Sequence, residues 1–162
     1  MSTINGLPAH ILLVHAVVVL LPLSAFLLVL TAWWPAARSR LAGPNAVLSA
    51  GVVALVPLTT SAGEWLERRV PPTELVHRHA ELGDTALFYA VPVAALALIV
   101  WWRRREESSR RTYLAPASPA VTYAVAALSV AVAVAGVYGT YRIGDSGSKA
   151  AWTGTASATS RP

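Results

Sequence analysis

The apolar positions of this chain neither alternate nor recur at a helical period; they run on in long blocks. Four such blocks, about Leu7–Trp34, Ala46–Gly63, Thr85–Trp102 and Ala117–Tyr141, are separated by short polar segments. A helix needs roughly 20 apolar residues to cross the hydrocarbon core of a bilayer. The first and fourth blocks clear that length, and the flanks of the second and third extend them towards it. Only helices and closed barrels satisfy the backbone in lipid, and the blocks lack the two-residue alternation of barrel strands. The pattern predicts an all-α polytopic membrane protein, a four-helix transmembrane bundle. Residues 1–145 form the four-span domain, and the small, polar stretch 146–162 is expected to be a disordered C-terminal tail. No basic segment precedes the first block, which is also too long for the core of a signal peptide, so it reads as a retained helix.

Composition agrees with this reading. The chain of 162 residues is 55% hydrophobic and only 13% charged, where soluble domains carry about 25% charged residues. The absence of cysteine excludes disulfides, thiolate metal sites, iron–sulfur clusters and c-type haem attachment. A net charge of +5 in so apolar a chain points to charges that sort topology. Membrane lipids are the expected partner and nucleic acid is not.

Arginine distribution orients the bundle. Arg38, Arg40, Arg103, Arg104, Arg105, Arg110 and Arg111 fall in the two segments on one side, opposed only by Glu106 and Glu107. The densest cluster, WWRRREESSRR, directly follows the third block. By the positive-inside rule that side is cytoplasmic, and both termini of a protein in the bacterial inner membrane lie outside. Arg68, Arg69 and Arg78 pull the other way. Trp33, Trp34, Trp101 and Trp102 suit an interfacial belt on the arginine-rich side.

The same helix count gathers chemistry at the other face. All four histidines, His10, His15, His77 and His79, fall there, with Glu64, Asp84 and Tyr141 at the adjoining helix ends. His10 and His15 are about 140° apart around a helix, and His77 and His79 lie on nearly opposite sides, so one member of each pair is expected to face the bundle. His15, about 8 Å deeper than His10, is the expected inward member of the first pair. His79, closer to the third block, is that of the second, on a helix capped by Thr73 after two prolines.

Four readings of His15 and His79 stand. They are the axial ligands of a b-type haem between facing helices. They bind a transition-metal ion with Glu64 or Asp84, or relay protons. Alternatively they are interhelical hydrogen-bond glue in a structural or assembly protein. No catalytic signature is present, and no activity of the chain's own is expected. A redox or other membrane protein is an expected partner.

Other features are architectural. Ala127, Ala131, Ala135 and Gly139 recur every four residues, a small-residue stripe expected to pack inside the bundle or, alternatively, to form a homodimer face. Pro22, Pro57 and Pro92 fall within helices. YRIGDSGSKAAW after the fourth block reads as a turn-rich segment folding back over the outer face.

GLPAHILLVHAVVVLLPLSAFLLVL, TSAGEWLE, HRHAELGDTALF and GVYGTYRIGDSG, in this order and spacing, resemble the domain-of-unknown-function 2231 family of bacterial membrane proteins over about residues 5–150. The resemblance implies a four-span integral membrane domain. It marks His10, His15 and His79 as family-pattern histidines. Some relatives are joined to Rieske-type or cytochrome-type domains, which lends weight to the haem reading. Two departures stand out: Ile11 where a proline commonly follows the first histidine, and Ala16-Val17 where phenylalanine-proline follows the second.

Overall fold

The computed structural model describes residues 3–4, 7–107, 109, 113–114 and 117–153. A two-rung antiparallel ladder, β1 (Thr3–Ile4) with β2 (Leu7–Pro8), precedes the first helix. Five helices follow: α1 (Ala9–Trp33), α2 (Pro35–Glu67), α3 (Glu74–Asp84), α4 (Ala86–Glu106) and α5 (Pro119–Trp152). Among the described residues, four helical stretches are long and apolar enough to cross a membrane: α1, α2, α3 with α4, and α5. The chain is an all-α four-helix bundle. α1 packs along α2 and against α5, α2 against α4, and the short α3 against α5.

Helix ends follow local chemistry. The segment after the first block is helical rather than a loop. Only Trp34, with extended φ −113° and ψ 109°, separates α1 from α2, and Pro35 stands at the first position of α2, where its missing N–H costs nothing. Arg38 and Arg40 therefore lie on the first turns of a span. Arg38 reaches back to the end of α1: its Nε donates to the Thr31 carbonyl and its Nη2 to the Ala32 carbonyl, both at 3.0 Å. These are orphan acceptors at the C-terminus of a helix. Thr73 caps α3 as expected, its hydroxyl accepting from the Val76 amide at 3.3 Å.

α5 continues past Tyr141 to Trp152, so the stretch expected to be turn-rich is helix. The boundary expected at residue 145 falls inside α5, and residues 154–162 lie outside the described residues. Each glycine costs a helix about 1 kcal/mol. Here a Lys149–Asp145 ion pair at 2.7 Å, one turn apart, supports the helix,, and α3 packs against it.

The small-residue stripe also lies elsewhere. Ala127, Ala131 and Ala135 are exposed and only Gly139 is buried. Steps of four residues advance 400°, so the stripe drifts by about 40° per step and cannot keep to one face. The buried line instead alternates threes and fours: Ala126, Ser129, Ala133, Gly136 and Thr140.

One buried polar group joins the first two spans. Asn45 on α2 is 1% exposed. With its amide oriented to satisfy both atoms, it donates to the Ser24 carbonyl at 3.3 Å and accepts from the Leu28 amide at 3.2 Å. Those two groups are ladder partners along α1, so a side chain of α2 enters the backbone hydrogen bonding of its neighbour. Pro22, Pro57 and Pro92 lie inside helices as expected, joined by Pro44.

Candidate functional site

His10 lies in the first turn of α1 and is half-buried. Its Nδ1 is 3.0 Å from the Thr59 carbonyl of α2. A carbonyl oxygen only accepts, so Nδ1 carries the proton. The ring fits because Gly63, one turn along α2, has no side chain: a Cβ there would stand 3.0 Å from both Cε1 and Nδ1 of His10.

His79 on α3 repeats the arrangement against α5. Its Nδ1 is 3.0 Å from the Ser146 hydroxyl. That hydroxyl donates its single proton to the Ile143 carbonyl at 2.8 Å, so towards His79 it accepts, and Nδ1 of His79 is again the donor. Gly147 again makes the room, since a Cβ there would come within 2.9 Å of Cε1 of His79. The His10 and His79 rings meet edge to face, with centroids 6.2 Å apart and planes at 70°. Four helices thus converge on two imidazoles with the same fixed tautomer.

The pair differs from the one expected. His15 is exposed, and its Nδ1 bonds to the Ile11 carbonyl of its own helix. The ring that meets His79 is His10. The rule of one inward histidine per pair describes both helices, but depth is a poor guide to the choice on α1. α3 is short and amphipathic and joins α4 at Thr85. Its His79 therefore stands level with the first turn of α1, about 8 Å above the level of His15. The glycine notch at Gly63 is also at that level.

The remaining candidates stay outside the pair. Glu64, Asp84 and Tyr141 are exposed. His77 is exposed between Glu67 at 3.8 Å and Glu81 at 3.3 Å, beside an open pocket of about 310 Å³ that also touches Pro72 and Thr73. Among the described residues, no three histidine or acidic side chains come together as a metal-binding group. The ligand set of His15, His79, Glu64 and Asp84 is therefore not assembled, and a haem held by His15 and His79 does not fit this placement.

A second polar centre at the opposite end escaped the sequence reading. Arg103 and Glu106 of α4 are only 4% and 5% exposed. Glu106 accepts from the Trp102 indole at 2.8 Å, the Tyr113 amide at 3.0 Å and the Leu114 amide at 2.8 Å. Arg103 donates to the Leu114 carbonyl and to the Thr122 hydroxyl on α5 at 2.7 Å. Arg38 adds an ion pair to Glu107 at 3.3 Å. These contacts hold Tyr113 and Leu114, between α4 and α5, against the helix ends. The sign was present in the sequence. The buried face of α4 runs through Ala90, Val93, Ala97 and Val100, and the same period continues to Arg103 and Glu106. A run of like charges reads as a solvated cluster unless that period is carried into it.

Four helical stretches long and apolar enough to cross a bilayer, among the described residues, describe an integral membrane protein. The model of a family described as "Predicted membrane protein (DUF2231)" matches residues 6–159. The chain belongs to this family. No curated protein and no solved structure matches this DUF2231 protein. The motifs that carry the resemblance include both glycine notches, Gly63 in TSAGEWLE and Gly147 as the last residue of GVYGTYRIGDSG.

Proposed function

We propose that this chain is a non-enzymatic membrane module of the bacterial inner membrane, in which His10 and His79 clamp the ends of four helices together. The observation that carries this reading is the pair of Nδ1 hydrogen bonds. One joins α1 to α2 through Thr59 and the other joins α3 to α5 through Ser146. Each is a neutral hydrogen bond in a partly apolar setting, worth about 1 kcal/mol net. The module presents this face outward, with both termini, and keeps the arginine-rich ends of α2 and α4 in the cytoplasm; the positive-inside rule supports that orientation.

The test is thermal unfolding of the detergent-solubilised chain. His10→Ala and His79→Ala each lower Tm, and His15→Ala leaves it unchanged. Equal sensitivity to all three substitutions would end the clamp reading.

A further inference from the structure

The arginine-rich end keeps two cations without counter-charges. Of the acids there, Glu106 accepts from Trp102, Tyr113 and Leu114, and Glu107 pairs with Arg38. Among the described residues, Arg40 on α2 and Arg104 on α4 make no hydrogen bond, ion pair or ring contact. Arg40 is exposed and Arg104 half-buried.

Trp101 sets these two cations at one groove. α2 packs against α4, and the indole of Trp101 lies against Gly43, where a Cβ would stand 3.3 Å from its Nε1. Arg40 comes three residues before Gly43 on α2, and Arg104 three residues after Trp101 on α4. The two helices run in opposite directions, so both steps lead the same way, about 4.5 Å towards the arginine-rich end. Three residues turn a helix by about 300°, which leaves each arginine within about 60° of the face that carries the contact. On the other flank of Trp101, the Arg105 guanidinium lies 5.2 Å from the ring centroid.

The indole N–H is open as well. Trp101 makes no hydrogen bond among the described residues. Of the side-chain polar atoms sealed from the surface in buried and half-buried described residues, only Ser49 Oγ lacks a partner. The half-buried Trp101 therefore brings its N–H to the bundle surface, at the level where tryptophans meet lipid headgroups.

A neutral donor with two uncompensated guanidiniums one turn beyond it suits a phosphodiester. Guanidinium groups recognise phosphate, and basic grooves between spans take anionic lipid heads. A zwitterionic headgroup brings an ammonium with its phosphate, which the guanidiniums repel; a headgroup without an amine meets no such penalty. We propose that the α2–α4 groove at Trp101 binds the phosphate of an anionic phospholipid. Arg40 and Arg104 supply the charge, and the indole N–H supplies one hydrogen bond. This site is independent of the histidine clamp and of which leaflet the arginine-rich end occupies.

The test follows the indole N–H signals of the full chain, ¹⁵N-labelled at tryptophan, by NMR in detergent, with Trp101→Phe for assignment. Phosphatidylglycerol or phosphatidylcholine with the same acyl chains is added. Phosphatidylglycerol is expected to shift the Trp101 signal and to saturate, and phosphatidylcholine to leave it near its starting position. Arg40→Gln and Arg104→Gln should each weaken the phosphatidylglycerol response about fivefold, the worth of one arginine at a membrane surface. Arg142→Gln, at the other end of the bundle, should leave it unchanged. Equal responses to the two lipids would make Trp101 an ordinary belt residue and overturn the proposal. A response weakened as much by Arg142→Gln as by Arg40→Gln would also overturn it, since only net charge would then be at work. The same saturable shift with inorganic phosphate would assign the groove to a soluble anion and remove the lipid. The first comparison uses the wild-type chain, and neither Arg40 nor Arg104 holds a contact that folding would lose.

Discussion

Gly147 lies so close beneath the His79 ring that a Cβ on it would stand 2.9 Å from Cε1. The ring is at the end of a side chain and can move, but only by giving up its 3.0 Å contact with Ser146. Gly147→Ala loses that bond, worth about 1 kcal/mol net, against a helix-propensity gain of similar size, and is therefore expected to leave the detergent-solubilised chain no more stable than the parent. Gly144 on the same helix meets nothing within 4 Å, so Gly144→Ala is expected to be neutral or to stabilise by up to about 1 kcal/mol through helix propensity. Thermal unfolding of the two variants side by side checks the pair.

A larger loss is expected one level down the same helix. A Cβ on Gly139 would lie 2.5 Å from two ring carbons of Tyr89, and this position is buried between α5 and α4. Gly139→Ala overpacks it and is expected to cost about 1–3 kcal/mol. Tyr89→Ala in the same chain relieves the overlap, so the double variant should lose less than the sum of the singles. A strictly additive result would show that the two residues do not touch.

At the arginine-rich end, Glu106→Ala leaves an indole N–H and two backbone amides without their acceptor, next to a buried guanidinium. Three donors lose their acceptor at once, so this variant is expected to be clearly less stable than the parent chain. Glu107→Ala removes only the half-exposed ion pair with Arg38 and is expected to cost at most about 1 kcal/mol. Chemical unfolding monitored by tryptophan fluorescence, with Trp102 as a local reporter, separates the two.

Asn45→Ala withdraws the amide that bridges the Ser24 carbonyl and the Leu28 amide. The two backbone groups can re-form their own ladder bond, so the expected loss is modest, about 1 kcal/mol. Asn45→Asp removes the donor and places a charge among apolar side chains, and is expected to prevent recovery of folded protein. The readout is the monodisperse fraction on size-exclusion chromatography in detergent.

Orientation is checked with single cysteines, since the chain has none of its own. Arg40→Cys and Ser148→Cys are both at exposed positions, at opposite ends of the bundle. In intact cells an impermeant maleimide is expected to label Ser148→Cys and spare Arg40→Cys. The opposite pattern inverts the orientation without touching the fold.

Much of this architecture was legible in the residues and some was not, for definite reasons. The four spans follow from hydropathy because lipid demands long apolar runs, whatever their neighbours do. Among the helix ends, the Thr73 cap of α3 followed, but the start of α2 and the end of α5 did not. The segment holding Gly147 reads as turn-rich, yet there a glycine lets α3 approach α5, and Pro35 begins α2 directly after Trp34. Both are tertiary uses of residues whose local preference says otherwise. His79 was identified on α3, but its partner was not. Choosing between His10 and His15 requires knowing that α3 ends short of the core, and no pattern on α1 carries that information. Arg103 and Glu106 were readable from the period of α4 and were obscured by their charged neighbours.

Trp34 is the only residue outside a helix between the first two spans. So short a joint leaves no slack for either span to settle in the bilayer before the other. The N-terminal half of the protein would enter as a ready-made hairpin, closed at its tip by the guanidinium of Arg38. The arginines on that tip would then decide which way up the whole molecule is built.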